Sequence, residues 1–206
     1  MPEKAAHAGT AAMGLRVHSG WAALVVLAGD RRSPRVVRRR RIDMADAEDM
    51  EARHPYHAAQ QLDLSRAREL LERLRDDATE HAHRDLTRAL DEVGPQGLRP
   101  RTAVVLMASG RLPLQLQKIL ASHAAIHTAE GAHFREALAQ AGQRLGLNVI
   151  RLPERLVLGR AAEALGLPAE DLRARVGAMG RGLGPPWTAD QKSATLGAWL
   201  ILATEG

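Results

Sequence analysis

Histidines, carboxylates and arginines are the side chains grouped closely enough in this chain to do chemistry. His123, His127, Glu130 and His133 follow one another at spacings of four, three and three. On a single helix those spacings would align them along one face, a set that a transition metal accepts. Ser122 and Thr128 both have the character of helix caps, however, so the stretch is expected to form two elements and divide the set. His54-Pro55-Tyr56-His57 adds two imidazoles on what reads as a surface turn, within reach of a site. His18 stands at the end of an apolar stretch and reads as a metal ligand, a general base or a strand histidine satisfied by backbone. Asp190 lies in Thr188-Ala189-Asp190-Gln191, which has the form of a capping box. An acid in a first turn is also favoured by the helix dipole, so structure alone accounts for Asp190, and equally for Glu130 just after Thr128.

Several chemistries are excluded. The 206 residues contain no cysteine, so thiolate catalysis, disulfides and cysteine zinc sites are impossible. Ser19, Ser109, Ser122 and Ser193 lack a nucleophile-elbow context. Arg181-Gly182-Leu183-Gly184 lacks the Lys-Ser/Thr that would complete a phosphate-cradling loop. Aromatic residues make up 2% of the chain, too few for a base-stacking platform. The longest apolar run, over 22–28, falls far short of the roughly 20 residues a membrane span needs, and no apolar block stands in the first 13 residues. A cytoplasmic protein with no membrane partner is expected.

Charge is unevenly distributed. Nine basic residues against Glu3 and Asp30 give +7 over residues 1–41, seven arginines against fourteen acids give −7 over 42–92, and thirteen basic residues against eight acids give +5 over 93–206. One acidic segment thus separates two basic ones, the pattern of either a one-sided anion-binding face or a solvated surface. Arg38, Arg39, Arg40 and Arg41 close a strand on which alternate side chains point to opposite faces, so at least two must share a face. Arg31 and Arg32 extend the basic patch from the preceding turn, and Lys192 adds a charge near Asp190. These residues could contact phosphates, salt-sensitively and without base specificity, or protect an edge strand from aggregation. Trp187 reads as cover for a helix start, and Trp21 and Trp199 as core.

The elements that must position these groups follow from the hydrophobic pattern. Residues 1–13 read as a disordered tail and 14–206 as a single domain. Two apolar stretches flank His18-Ser19-Gly20, and after the turn over 29–34 a third strand returns, giving an antiparallel meander. A helix over Leu64–Val93 carries apolar residues at the three-to-four spacing of one buried stripe. Residues 102–108 form a continuous apolar run, as expected of a central strand buried on both faces. Helices near 114–122 and 128–145, a strand over 148–152 and helices over 154–165, 168–179 and 188–203 complete the chain. This order predicts an α/β fold: three antiparallel strands, then βα units, with helices on both faces of a mixed sheet.

The chain resembles the RuvC-type Holliday junction resolvases of the ribonuclease H-like superfamily. Val17-His18-Ser19-Gly20 resembles the motif that ends their first strand. Ala129-Glu130-Gly131, the helix after it, Gly146-Leu147-Asn148-Val149-Ile150 and Pro153-Glu154-Arg155-Leu156-Val157 are similar to a second stretch, and 189–198 resembles their acid-bearing last helix. The resemblance implies a ribonuclease H-like fold, structured DNA or RNA as partner recognised by shape rather than sequence, Mg2+ or Mn2+ as the cofactor if there is one, and an open option of a homodimer. Enzymes of this kind hold two divalent cations about 4 Å apart with three or four carboxylates. Here His18 stands where the first-strand Asp belongs, Ser109 or Gly110 where an acid follows the fourth strand, and Asp190 alone is plainly in place. The implied centre is therefore eroded or altered: His18 as ligand or base, Glu130 and Asp190 as metal ligands. A non-catalytic interaction scaffold on the same fold, docking a partner through the long acidic helix, is the alternative.

Overall fold

A computed structural model describes residues 10–205. Strands β1 (Ala11–His18), β2 (Trp21–Ala28) and β3 (Arg35–Asp43) form the expected antiparallel meander, and β4 (Thr102–Met107) and β5 (Asn148–Pro153) add in parallel on the far side of β1. The sheet order is β3-β2-β1-β4-β5. His18 pairs with Trp21 across a two-residue turn, and Gly20 there has φ +77°, a left-handed conformation that glycine adopts without strain. Part of the expected tail is strand: Ala11, Ala12 and Met13 pair with Ala28, Leu27 and Val26, because apolar side chains on both strands bury together. Residues 1–9, the rest of that tail, lie outside the described residues.

Two short helices, α1 (Met50–Arg53) and α2 (Pro55–Ala59), occupy the segment expected to be a surface turn, and Tyr56 and Ala59 anchor it in a small apolar cluster. Helix α3 (Leu64–Val93) starts at Asp63, whose carboxylate accepts the Ser65 and Arg66 amides. Helices α4 (Leu116–Leu120), α5 (His123–Arg144), α6 (Glu154–Leu165), α7 (Ala169–Met179) and α8 (Ala189–Glu205) follow. The expected break at Thr128 does not occur. Ser122 caps α5, but the Thr128 hydroxyl donates to the Ala124 carbonyl, so a cap-type residue is satisfied inside a continuous helix.

The sheet separates two cores. Met13, Leu15 and Val17 point toward α3 and α5, whereas the other face, with Ala12, packs against α6, α7 and α8. Helix α8 lies directly on the backbone of β1: a Cβ at Gly14 would stand 1.8 Å from the Ala194 carbonyl oxygen and 3.0 Å from the Ala198 nitrogen. That contact sets everything at the ends of these two elements.

Candidate functional site

Gly14, Arg16 and His18 share one face of β1 by the two-residue period of a strand, and Asp190, Ala194 and Ala198 share one face of α8 by its four-residue spacing. Docking Ala194 on Gly14 therefore brings Asp190, one turn earlier, against Arg16 and His18. Asp190 Oδ1 accepts from Arg16 Nη1 at 2.9 Å and lies 3.0 Å from His18 Nε2. Arg16 Nε reaches Glu154, the first residue of α6, at 3.2 Å, so one guanidinium joins two carboxylates. Its Nη1 also touches both ring nitrogens of His18. The imidazole stacks on Trp21 at 4.2 Å with an interplanar angle of 7°, and the Arg41 guanidinium lies 4.2 Å over that indole. Trp21 is thus half-buried in a stack rather than in the core. The capping box is present: the Thr188 amide donates to Gln191 Oε1 at 3.0 Å and the Gln191 amide to the Thr188 hydroxyl.

The donor set at this corner does not fit a pair of Mg2+ or Mn2+ ions. Two hard cations need three or four free carboxylates. Here Asp190 and Glu154 are both committed to Arg16, the exposed Ser109 and Gly110 follow β4, and His18 supplies an imidazole. A fixed guanidinium stands among the acids. Arg135 on α5 lies within electrostatic reach of both Glu154 and Arg16, and its pKa is lowered mainly by burial. It occupies space left by Gly131, where a Cβ would come within 2.6 Å of its Nη1. Sequence reasoning missed Arg16, Glu154 and Arg135. The available signal was the two-residue spacing of Arg16 from His18 and the four-residue spacing of Arg135 from Gly131.

Glu130 is held in a different cluster from His18 and Asp190. It is 1% exposed, its Oε1 lies 2.7 Å from His57 Nδ1, and its Oε2 lies 3.5 Å from His54 Nδ1. The continuity of α5 puts His123 and His127 one turn apart, with their Nε2 atoms 3.0 Å apart. His57 meets both, its ring centre 5.6 Å from that of His123 and 5.0 Å from that of His127. Ligand atoms of His57, His123 and His127 lie within 4.8 Å of one another, as do those of His54, His57 and Glu130. His133 does not join them: it is buried edge-on to Tyr56 and Phe134, and burial, with the Arg75 charge adding to it, lowers its pKa from 6.5 to about 4. Helical spacing found two of these ligands and included a core histidine. His54 and His57 read in sequence as turn residues within reach of a site, with nothing local to say which site that is.

The arginine strand is largely engaged within the protein. Arg40 bonds Glu92 at 2.6 Å and lies 3.8 Å from Asp85, Arg38 also pairs with Glu92, and these acids belong to α3. Arg39 points to the opposite side and donates to the carbonyls of Leu183 and Gly184 at 2.8 and 3.0 Å and to that of Pro186. Arg41 pairs with Asp43 at 2.6 Å. The two segments of opposite charge thus face each other, while Arg31, Arg32 and Lys192 remain exposed. Trp199 is core, with its Nε1 donating to the Arg31 carbonyl, and Trp187 covers Gly180 and donates to Val176.

Two solved structures of RuvC from Thermus thermophilus match nearly the whole chain. One RuvC structure matches with a TM-score of 0.52 and 14% identity, over 95% of this chain and 95% of that one. RuvC in complex with a Holliday junction substrate matches with a TM-score of 0.50 and 14% identity, over 95% and 94%. The fold is RuvC-like. The expected α/β architecture, with three antiparallel strands, then βα units and helices on both faces, is therefore borne out. No protein-family model matches the chain, and no curated protein matches it in sequence. Among the described residues no helix is long and apolar enough to cross a membrane.

Proposed function

We propose that this protein binds structured nucleic acid, DNA or RNA, on a RuvC-like fold whose nuclease centre no longer performs two-metal cleavage. The observation that carries the reading is Arg16 bridging Asp190 and Glu154 at 2.9 and 3.2 Å, at the end of the sheet where the resemblance implies metal ions. Arg16, with Arg135 in electrostatic reach, sets two permanent positive charges against the two acids, so the corner needs no divalent cation to face a phosphate. It activates no water, because a guanidinium holds its proton at any physiological pH and cannot lower the pKa of a bound water as a metal does. The likeness to RuvC bound to a Holliday junction supports branched nucleic acid as the ligand class.

Lys192 in the first turn of α8 and Arg155 in the first turn of α6 flank the corner and serve as phosphate contacts, whereas Arg41 is held by Asp43 and Trp21. Arg31 and Arg32 lie at the opposite end of the meander and add a second contact region. Contacts of this kind fix orientation without reading sequence, and their affinity falls steeply with salt.

Gel shifts with a four-way junction and a linear duplex, at low and moderate salt, test binding. The expected result is a salt-sensitive shift with preference for the junction, and no shift with any nucleic acid at low salt overturns it. Cleavage in Mg2+ or Mn2+ is tested on the same junction and on an RNA–DNA hybrid. The expected result is none, and metal-dependent cleavage abolished by Asp190→Asn overturns the altered-centre reading. The internal pairing of Arg38, Arg39 and Arg40 favours the interaction scaffold as second reading, in which exposed acids of α3 dock a basic partner.

A further inference from the structure

The strongest unassigned feature is the histidine cluster between α2 and the first two turns of α5. We propose that His57, His123 and His127 form a binding site for a single borderline transition-metal cation, Zn2+ in the first instance, with Glu130 as the residue that positions His57.

Three observations carry this assignment. The ligand atoms already converge: those of the three histidines lie within 4.8 Å of one another, and the Nε2 atoms of His123 and His127 are 3.0 Å apart. Imidazole nitrogens bound at about 2.0–2.1 Å around a tetrahedral ion stand roughly 3.3 Å from one another, so closing the triad from separations within 4.8 Å takes a shift of no more than about 1.5 Å. Next, Glu130 is a buried carboxylate whose Oε1 lies 2.7 Å from His57 Nδ1. Placing an acid there is costly unless it is bonded. Bonded to Nδ1–H, it fixes the tautomer that leaves Nε2 free as a ligand, the arrangement that holds metal-binding histidines in place. Finally, His54, His57 and His127 line an open pocket of about 580 Å³ together with Met50, Glu51 and Ala58, so a fourth coordination position is accessible to water or to a small anion.

The chemistry of the donor set selects the metal. Mg2+ and Mn2+ prefer oxygen ligands, whereas three imidazoles suit Zn2+, Co2+, Ni2+ or Cu2+. The ion would tie the short helix α2, held otherwise through Tyr56 and Ala59, to the long helix α5. The proposal does not depend on nucleic-acid binding.

The test is Co2+ titration of the full chain without a histidine tag, after removal of metals with a chelator. Ligand-field absorption of bound Co2+ and displacement by Zn2+ are the readouts. One equivalent of Co2+ with four-coordinate absorption is expected. The exposed His123 and His127 can be replaced without disturbing the core, and His123→Ala/His127→Ala is expected to abolish the signal with an unchanged circular dichroism spectrum. Glu130→Gln should weaken binding by about 10–100-fold, and replacement of a histidine outside the cluster, His81→Ala on α3, should leave it intact. Absence of Co2+ and Zn2+ binding to the wild type at micromolar concentration overturns the site, as does wild-type affinity in the double variant.

Discussion

The corner of Arg16, His18, Glu154 and Asp190 and the cluster of His54, His57, His123, His127 and Glu130 both gather titratable side chains at the ends of elements, but their charges close in opposite ways. At the corner the acids face an arginine that carries the positive charge, so donor and acceptor groups satisfy one another. In the cluster a buried carboxyl group bonds one imidazole, and the imidazoles in front of it turn nitrogens toward each other and toward a pocket. A cation site requires surplus electron pairs rather than a gathering of carboxylates. By that criterion the corner lacks free donors for a pair of hard cations, whereas the α2–α5 side presents donors for a single cation.

The contrast breaks most completely if α8 is lifted from β1. Gly14→Val places a branched side chain against the backbone of Ala194, which no rotamer change can relieve, and a loss of at least about 3 kcal/mol in urea unfolding is expected. The Asp190 contacts should go with it. A loss below about 1 kcal/mol would show that α8 is not positioned by this approach. Acid should come next in size, through His133. Burial lowers its pKa from 6.5 to about 4, so between those values the unfolded chain binds a proton that the folded chain refuses. Stability from this residue is complete above about pH 6.5 and is lost as the pH falls toward about 4, roughly 3 kcal/mol in all. His133→Phe should flatten this acid limb in unfolding measured between about pH 7 and about pH 4.5; an unchanged slope would assign the loss to other groups.

The two cations separate the regions directly. Zn2+ at about 100 times its dissociation constant adds about 2.7 kcal/mol, a rise of roughly 5–10 °C in melting temperature for a chain of this size. Mg2+ at the same excess over its usual protein affinities should shift it by less than about 1 °C, because Asp190 and Glu154 are already paired. A large Mg2+ shift lost in Asp190→Asn would restore the corner as a metal centre.

The strands and long helices were legible because their signals are local and repeated. The alternation and apolar runs gave β1 to β5, and the three-to-four stripe gave α3 to the residue. The failures at the arginine strand and at the site share one cause, a partner distant in sequence, whereas Thr128 finds its partner one helical turn back. Thr128 reads as a cap until the Ala124 carbonyl takes its hydroxyl. Four consecutive arginines read as an exposed patch until Glu92 and Asp85 of α3 are placed beside them. At the site, the pairing of His18 with Asp190 followed from the resemblance, but Glu130 bonds His57, 73 positions away, and nothing near either residue announces that contact.

The smallest expected effect tests whether β3 belongs to the binding surface. Arg40 bonds Glu92 at 2.6 Å, in a pair that is part-exposed on both sides. Arg40→Ala should therefore cost no more than about 1 kcal/mol, in the range of surface ion pairs. It should also leave the salt dependence of nucleic-acid binding unchanged, because an arginine already paired with a carboxylate releases no counterion when a phosphate arrives. Lys192 is exposed in the first turn of α8 and forms no ion pair among the described residues. Lys192→Ala should lower the slope of log affinity against log salt by about one, with little change in stability. Equal slope changes in the two variants would mean that Glu92 yields Arg40 to the phosphate, moving the interface from the corner to the edge of the sheet.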